Sequence, residues 1–317
     1  MKKFLLILPL LALAITGCTS PSSTNDSSQG GQGGQKHQHT YVKLMIQQHA
    51  NKRTYLVGED FDSEGLLVNA LCNSCKSIDS VRYSLQNDTD LELGQTSVTI
   101  VYEDLTYDYP IKVVEKYHIA CVGDSLTAGH YWANESYPTK LSGIVDSSYE
   151  VGNFGVNGIS ITGYGCSWDD PEMRYIKQDV YTNSVNFNPD IFAIMLGTND
   201  ATGWAKAEAT FDEYYHILLD SYIEKFPLAK FIMMVSPPVV TPNQFGIPND
   251  TIRDEINPRQ RDLAEEYDFE LLDLREEFEA TDNYQSKFLR PNNDNVHFTA
   301  EGAEYVAGRV WDIVQEL

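Results

Sequence analysis

The chain has 317 residues, 42% of them hydrophobic and 11% aromatic, which is enough to bury a core in one large domain or two unequal ones and excludes disorder throughout. Its formal charge of -23, from 46 acidic against 23 basic residues, argues against nucleic acid as a partner. The same charge disfavours attachment to an anionic membrane surface by electrostatics alone.

The first element is an apolar run from Phe4 to Ile15 behind Lys2 and Lys3. It suits the core of a signal peptide and falls short of the ~20 residues a spanning helix needs. The run ends in AITGC, which resembles the lipobox of bacterial lipoprotein precursors. That resemblance implies a signal peptide over residues 1–17, lipidation of Cys18, and a membrane-anchored lipoprotein at the bacterial cell surface or in the periplasm. Residues 18–39 follow, rich in Ser, Gly and Gln, a composition that buries no core and reads as a flexible linker. His37 and His39 in that tract read as solvated polar residues.

Residues 40–115 read as all-β. Val98, Ile100 and Tyr102 alternate with polar neighbours, Glu103 and Asp104 mark a turn, and Tyr107, Tyr109, Ile111 and Val113 resume the alternation. This predicts a hairpin with one buried face. The stretches YLVGEDFDSEGLLVNA and LELGQTSVTIVY resemble bacterial immunoglobulin-like repeats, which implies a small β-sandwich serving as a spacer. Cys72 and Cys75, spaced as CNSC, lack the βαβ context of a redox site and a second pair for zinc, so a local disulfide is expected. Cys121, in IACVG, is expected as a buried thiol.

From residue 116 to 317 short apolar runs alternate with helical stretches. HIACVG, YEVGNFGV, DIFAIMLG, AKFIMMVS and FELLDL read as five strands buried on both faces of a parallel sheet. Phe211, Tyr214, Tyr215, Leu218, Leu219, Tyr222, Ile223 and Phe226 mark an amphipathic helix, and Val306, Val310, Ile313, Val314 and Leu317 mark another. The alternation predicts a three-layer α/β/α sandwich, flavodoxin-like in its parallel sheet, with chemistry at the carboxyl ends of the strands.

Those ends carry GDSL at Gly123 to Leu126, NFGVNG around Gly155, GTND around Asn199, and a last loop with Asp294 and His297. Four such blocks in this order resemble the SGNH (GDSL-type) hydrolases over residues 116–317. The resemblance implies a carboxylic ester hydrolase in which Ser125 attacks an ester carbonyl, His297 relays its proton, and Asp294 orients the imidazole. The oxyanion hole would be formed by the N–H groups of Ser125 and Gly155 and the Asn199 amide. Taken singly, Ser125 could cap a helix, and Gly155, Asn199 and Asp294 could be turn residues; their joint placement favours the catalytic reading. Other histidines, His118, His130 and His216, lack a neighbouring D-x-x-H carboxylate.

No cofactor or metal is expected. A metal phosphoesterase built on Asp124, Asp200, Asp294 and His297 has too few histidines for a typical binuclear set. The segments around NFGVNGISITGYG and LGTNDATGW look similar to GDSL members that remove acetyl groups from carbohydrates, which implies an acetylated carbohydrate or small acyl ester as substrate. Tyr164, Trp168 and Trp204, with Tyr131 and Trp132, are candidates to stack on sugar rings. The alternatives are a lysophospholipase or thioesterase for longer acyl chains, and a non-catalytic glycan-binding adhesin.

Overall fold

The computed structural model describes residues 39–130, 133–166, 168–291 and 294–317. The expected signal peptide, Cys18, nearly all of the linker, Tyr131 and Trp132 lie outside the described residues. Among the described residues no helix is long and apolar enough to cross a membrane.

Residues 41–114 are all-β. Strand β1 (Tyr41–Gln48) pairs antiparallel with β3 (Leu67–Cys72), and β3 with β4 (Ile78–Ser80). A meander of β5 (Ser84–Gln86), β6 (Ser97–Tyr102) and β7 (Leu105–Pro110) contains the expected hairpin, with Glu103 at positive φ in its two-residue turn. Leu44, Val68, Val98, Ile100 and Tyr109 point inward and form the core of this module. The alternation does not run on as one strand to Val113. Pro110 ends β7, and β8 (Lys112–Val114) pairs in parallel with β2 (Thr54–Leu56) instead. Cys72 and Cys75 do not form the expected disulfide, and the turn between them is closed by a hydrogen bond of 3.4 Å from the Cys75 N–H to Cys72 Sγ.

Two residues separate β8 from a five-stranded parallel sheet of β9 (Tyr117–Gly123), β10 (Tyr149–Gly155), β13 (Ile191–Met195), β14 (Lys230–Val235) and β15 (Glu270–Asp273), in the order β10-β9-β13-β14-β15. A short ribbon of β11 (Tyr164–Gly165) and β12 (Trp168–Asp169) lies outside it. Every residue of β13 is buried, as its unbroken apolar run predicts for a central strand. The edge strand β10 is different: none of its residues is fully buried, because one side has no neighbouring strand, so the expectation of burial on both faces fails there.

The connection from β9 to β10 steps one way along the sheet and those from β13 to β15 step the other. With right-handed crossovers, this places helix Tyr137–Ile144 on one face and helices Phe211–Lys225 and Asn257–Tyr267 on the opposite one. Of the stripe read from the sequence, helix Phe211–Lys225 buries Phe211, Tyr215, Leu218, Leu219 and Tyr222, while Tyr214, Ile223 and Phe226 are only partly buried. The last helix, Ala300–Val314, buries Val306, Val310 and Val314 and lies against Tyr137–Ile144.

At the amino ends of the strands the β module is clasped to the sheet. The Tyr117 hydroxyl donates to the Thr54 carbonyl at 3.2 Å, and Lys112 Nζ lies 2.6 Å from Oδ1 of the buried Asp190, whose Oδ2 accepts the His118 N–H.

Candidate active site

The reversal of strand order opens a crevice at the carboxyl ends of β9, β10 and β13, where open parallel sheets bind ligands. Ser125 begins the one-turn helix α1 (Ser125–Ala128) directly after β9. Its cap is Asp124, whose carboxylate accepts the Leu126 N–H at 2.9 Å. The loop bearing His297 does not follow β15 directly, as the sequence suggested. Helices Leu274–Glu279 and Tyr284–Phe288 intervene, and the loop is then pinned by a bridge between Leu289 and Phe298 and by Thr299 capping the last helix at the Gly302 N–H.

These supports bring three side chains into line. His297 Nε2 lies 2.8 Å from Ser125 Oγ, and His297 Nδ1 lies 3.0 and 3.1 Å from the two Asp294 carboxylate oxygens. Asp294 Oδ1 also accepts the N–H groups of Val296 and His297. Burial would raise the Asp294 pKa, but the His297 ring and the two N–H donors outweigh it and hold the carboxyl below its ordinary range. The group is therefore an anion, placed to fix the imidazole tautomer with Nε2 free to accept. Ser125 and His297 are 8% and 4% exposed, so the relay is shielded from bulk water while its mouth opens on the cleft.

The cleft has a volume of about 310 Å³ and is lined by Ser125, Asn199 and His297 with Asn157, Gly158 and Phe245 among others. Asn199 spends one amide hydrogen on the Ile159 carbonyl at 2.8 Å. An amide carries two, so the second remains available. Gly155 does not line this cleft, which corrects the assignment made from the sequence. Its N–H donates to Asn153 Oδ1 at 3.0 Å, and a Cβ there would sit 2.2 Å from the Ala128 nitrogen. Gly155 lets β10 pass close to α1, while Asn153 Nδ2 donates to the Thr127 carbonyl at 3.0 Å and ties the two together. Gly158, at φ +74, occupies the cleft wall in its place. The signal was present as the second glycine of GVNG.

Of the candidate sugar-stacking residues that are described, Tyr164, Trp168 and Trp204, none lines the cleft. Trp204 packs edge-on against Phe211 at 5.4 Å with the Arg259 guanidinium over its ring, a structural position. Tyr164 and Trp168 sit on the β11–β12 ribbon; Trp168 is 41% exposed, and Lys206 lies 5.8 Å from the Tyr164 ring.

The carboxylates do not converge as a metal site would require. Asp124 is occupied as the α1 cap. Asp200 accepts the Ile161 and Thr162 N–H groups at 3.0 Å and the Thr162 hydroxyl at 2.6 Å. Burial pushes Asp124 up to about 7, with the Asp200 charge adding to it against the Leu126 bond. It pushes Asp200 to about 6 despite the Thr162 and Ile161 donors.

Comparison with known proteins returns the same part of the chain. The profile of the GDSL-like lipase/acylhydrolase family matches residues 121–305. An acetylxylan esterase of Xylanibacter ruminicola is 26% identical over 176 residues, 49% of this chain and 35% of that protein, so the match spans about a third of the relative's length. Among solved structures, an aryl esterase of M. smegmatis superposes with a TM-score of 0.50 at 17% identity, covering 63% of this chain and 99% of its own. At that identity the likeness concerns the fold.

Proposed function

Because the match over residues 121–305 makes this chain a member of the GDSL-like lipase/acylhydrolase family, we propose that it is a serine esterase that removes small acyl groups, acetyl on carbohydrates first among them. The observation that carries the reading is the continuous chain from Ser125 Oγ through His297 to Asp294, at 2.8 and 3.0 Å. Ser125 Oγ adds to the ester carbonyl as His297 Nε2 takes its proton. The imidazolium, held by Asp294, returns that proton to the departing alcohol, and water then repeats the sequence on the acyl-enzyme. The negative oxygen of each tetrahedral intermediate is met by the Ser125 N–H, an unpaired donor of the first turn of α1, by the second amide hydrogen of Asn199, and by the Gly158 N–H in place of Gly155.

Two observations support a short acyl group. The cleft is near the small end of ligand sites, and Phe245 and Ile247 are among the apolar residues that line it with Ser125. The Xylanibacter relative is named for acetylxylan. The lipobox-like AITGC and the immunoglobulin-like resemblance of the β module support an enzyme anchored through Cys18 at a bacterial surface, with residues 40–115 as spacer and 116–317 as the hydrolase.

A chain-length series of p-nitrophenyl esters on wild type and Ser125→Ala tests the proposal. Turnover should fall steeply from acetyl to octanoyl and vanish in Ser125→Ala. Faster octanoyl hydrolysis would assign the site to lipids, since each buried methylene contributes about 0.8 kcal/mol. Turnover that persists without Ser125 would remove the serine mechanism altogether.

A further inference from the structure

His130 follows α1 and is the least expected neighbour of the relay. Gly129 caps the helix in the left-handed region at φ 82, and His130 continues there at φ 47. Two consecutive left-handed residues reverse the chain, and the His130 N–H closes on the Ser125 carbonyl at 3.1 Å. Such a backbone is costly for a residue with a Cβ, so the surrounding contacts must hold it. The contact it makes is with the other end of the sequence. The His130 and His297 rings are parallel within 1°, with centroids 4.1 Å apart. Phe245 meets both rings edge-on, 5.7 Å from His130 and 5.0 Å from His297.

We propose that His130 is a positioning residue for the base, a flat neutral surface that, with Phe245 at the edge, keeps the His297 ring plane aligned on Ser125 Oγ while its proton moves on and off. The inference rests on reading Ser125 as nucleophile and His297 as base. A ring held only through Nδ1 on Asp294 can still swing about that bond; a parallel ring against its face removes the freedom. Small angular errors at a reacting centre are expensive, a misplacement of about 1 Å costing on the order of a hundredfold in rate.

The second ring must also be uncharged, because the imidazolium formed during turnover would be opposed by a cation 4.1 Å away. The groups facing the pair are Asp294 on His297 Nδ1, Asn157 beside His130, and the Arg290–Glu135 ion pair of 2.8 Å along the adjoining wall. Burial first, then the His297 charge, with Arg290 a smaller contributor, outweigh Asp294 and Asn157 and hold His130 below the ordinary histidine range.

The test compares Ser125→Ala, His130→Asn, His130→Gly and His130→Phe in the full chain. Both truncations tolerate the left-handed backbone, and His130→Phe restores an aromatic face without a titratable nitrogen. Three quantities are measured: kcat and KM for p-nitrophenyl acetate, the rate of Ser125 phosphonylation by a fluorophosphonate, and the melting temperature. The truncations should stay folded and lose about tenfold or more in both kcat and phosphonylation, with KM changed less than about threefold, and His130→Phe should recover most of the loss. If both truncations match wild type while Ser125→Ala is inert, the positioning role fails and the esterase reading stands. If truncation slows both rates but His130→Phe does not restore them, stacking is not what His130 contributes. If Ser125→Ala keeps turnover and no phosphonylation maps to Ser125, the esterase reading itself falls, and this inference with it.

Discussion

Asn199 holds its amide plane fixed through the Ile159 carbonyl, so the free hydrogen is aimed before any substrate arrives. Asn199→Ala should therefore lower kcat by about two to three orders of magnitude, close to 3 kcal/mol of transition-state stabilisation, with little change in KM. Wild-type kcat in that variant would take Asn199 out of the oxyanion hole. Asp124 carries a different expectation, on stability. Its folded pKa is raised from the usual 3.8 to about 7, chiefly by burial. The folded state keeps a proton that the unfolded chain releases above about pH 4, so this group's contribution is full below that pH and is lost as pH rises through about 7. Asp124→Asn keeps the helix cap and removes the ionisation, and its melting temperature should fall less than that of wild type between pH 4 and 7. Parallel melting curves for the two proteins would contradict the assignment. At this scale Ser125, Asn199, Asp294 and His297 were legible through their joint order in the chain, since each alone has an ordinary use as a cap, turn or loop residue. The two glycines of GVNG could not be told apart, since the choice turns on which N–H the Asn153 side chain captures. His130 was illegible because only its left-handed backbone turns it towards His297.

The helix α1 is positioned by what lies against its back as much as by the strand that feeds it. Gly155 of β10 passes so close that a Cβ would sit 2.2 Å from the Ala128 nitrogen and 2.7 Å from the Thr127 carbonyl carbon. Gly155→Ala should displace α1, and Ser125 with it, lowering both the melting temperature and kcat; a variant as stable and active as wild type would show that the contact yields freely. Asn153→Ala removes the tie to the Thr127 carbonyl, leaving that acceptor without its side-chain partner, and should cost about 1 kcal/mol of stability. The elements themselves followed the apolar pattern wherever burial was complete, as in β13 and helix Phe211–Lys225. The pattern misled where burial was partial. The YEVGNFGV run reads like a central strand but is an edge, and the alternation from Tyr107 to Val113 spans two strands that pair with different partners. Periodicity reports which face is apolar, and strand order is decided by contacts distant in sequence.

Across the whole molecule the ester-binding cleft and the β module lie at opposite ends of the parallel sheet, one beyond the carboxyl ends of the strands and the other at their amino ends. A chain trimmed to residues 116–317 should keep its esterase rate but melt at a lower temperature, because the Tyr117–Thr54 hydrogen bond and the Lys112–Asp190 ion pair are both lost. Lys112→Met in the full chain should reproduce much of that loss, and an unchanged melting temperature would show that the clasp contributes nothing to stability. The change of hydrophobic period from 2 to 3.6 was legible in the sequence, but the clasp was not, since neither Lys112 nor Asp190 stands out in its own segment. The relay has its own long-range character: Ser125 and His297 are 172 positions apart. During synthesis the nucleophile therefore emerges well before its base, and the loop that carries His297 is fixed only when Thr299 caps the last helix. Any chain that stops short of residue 297 therefore carries Ser125 without the imidazole that meets its hydroxyl.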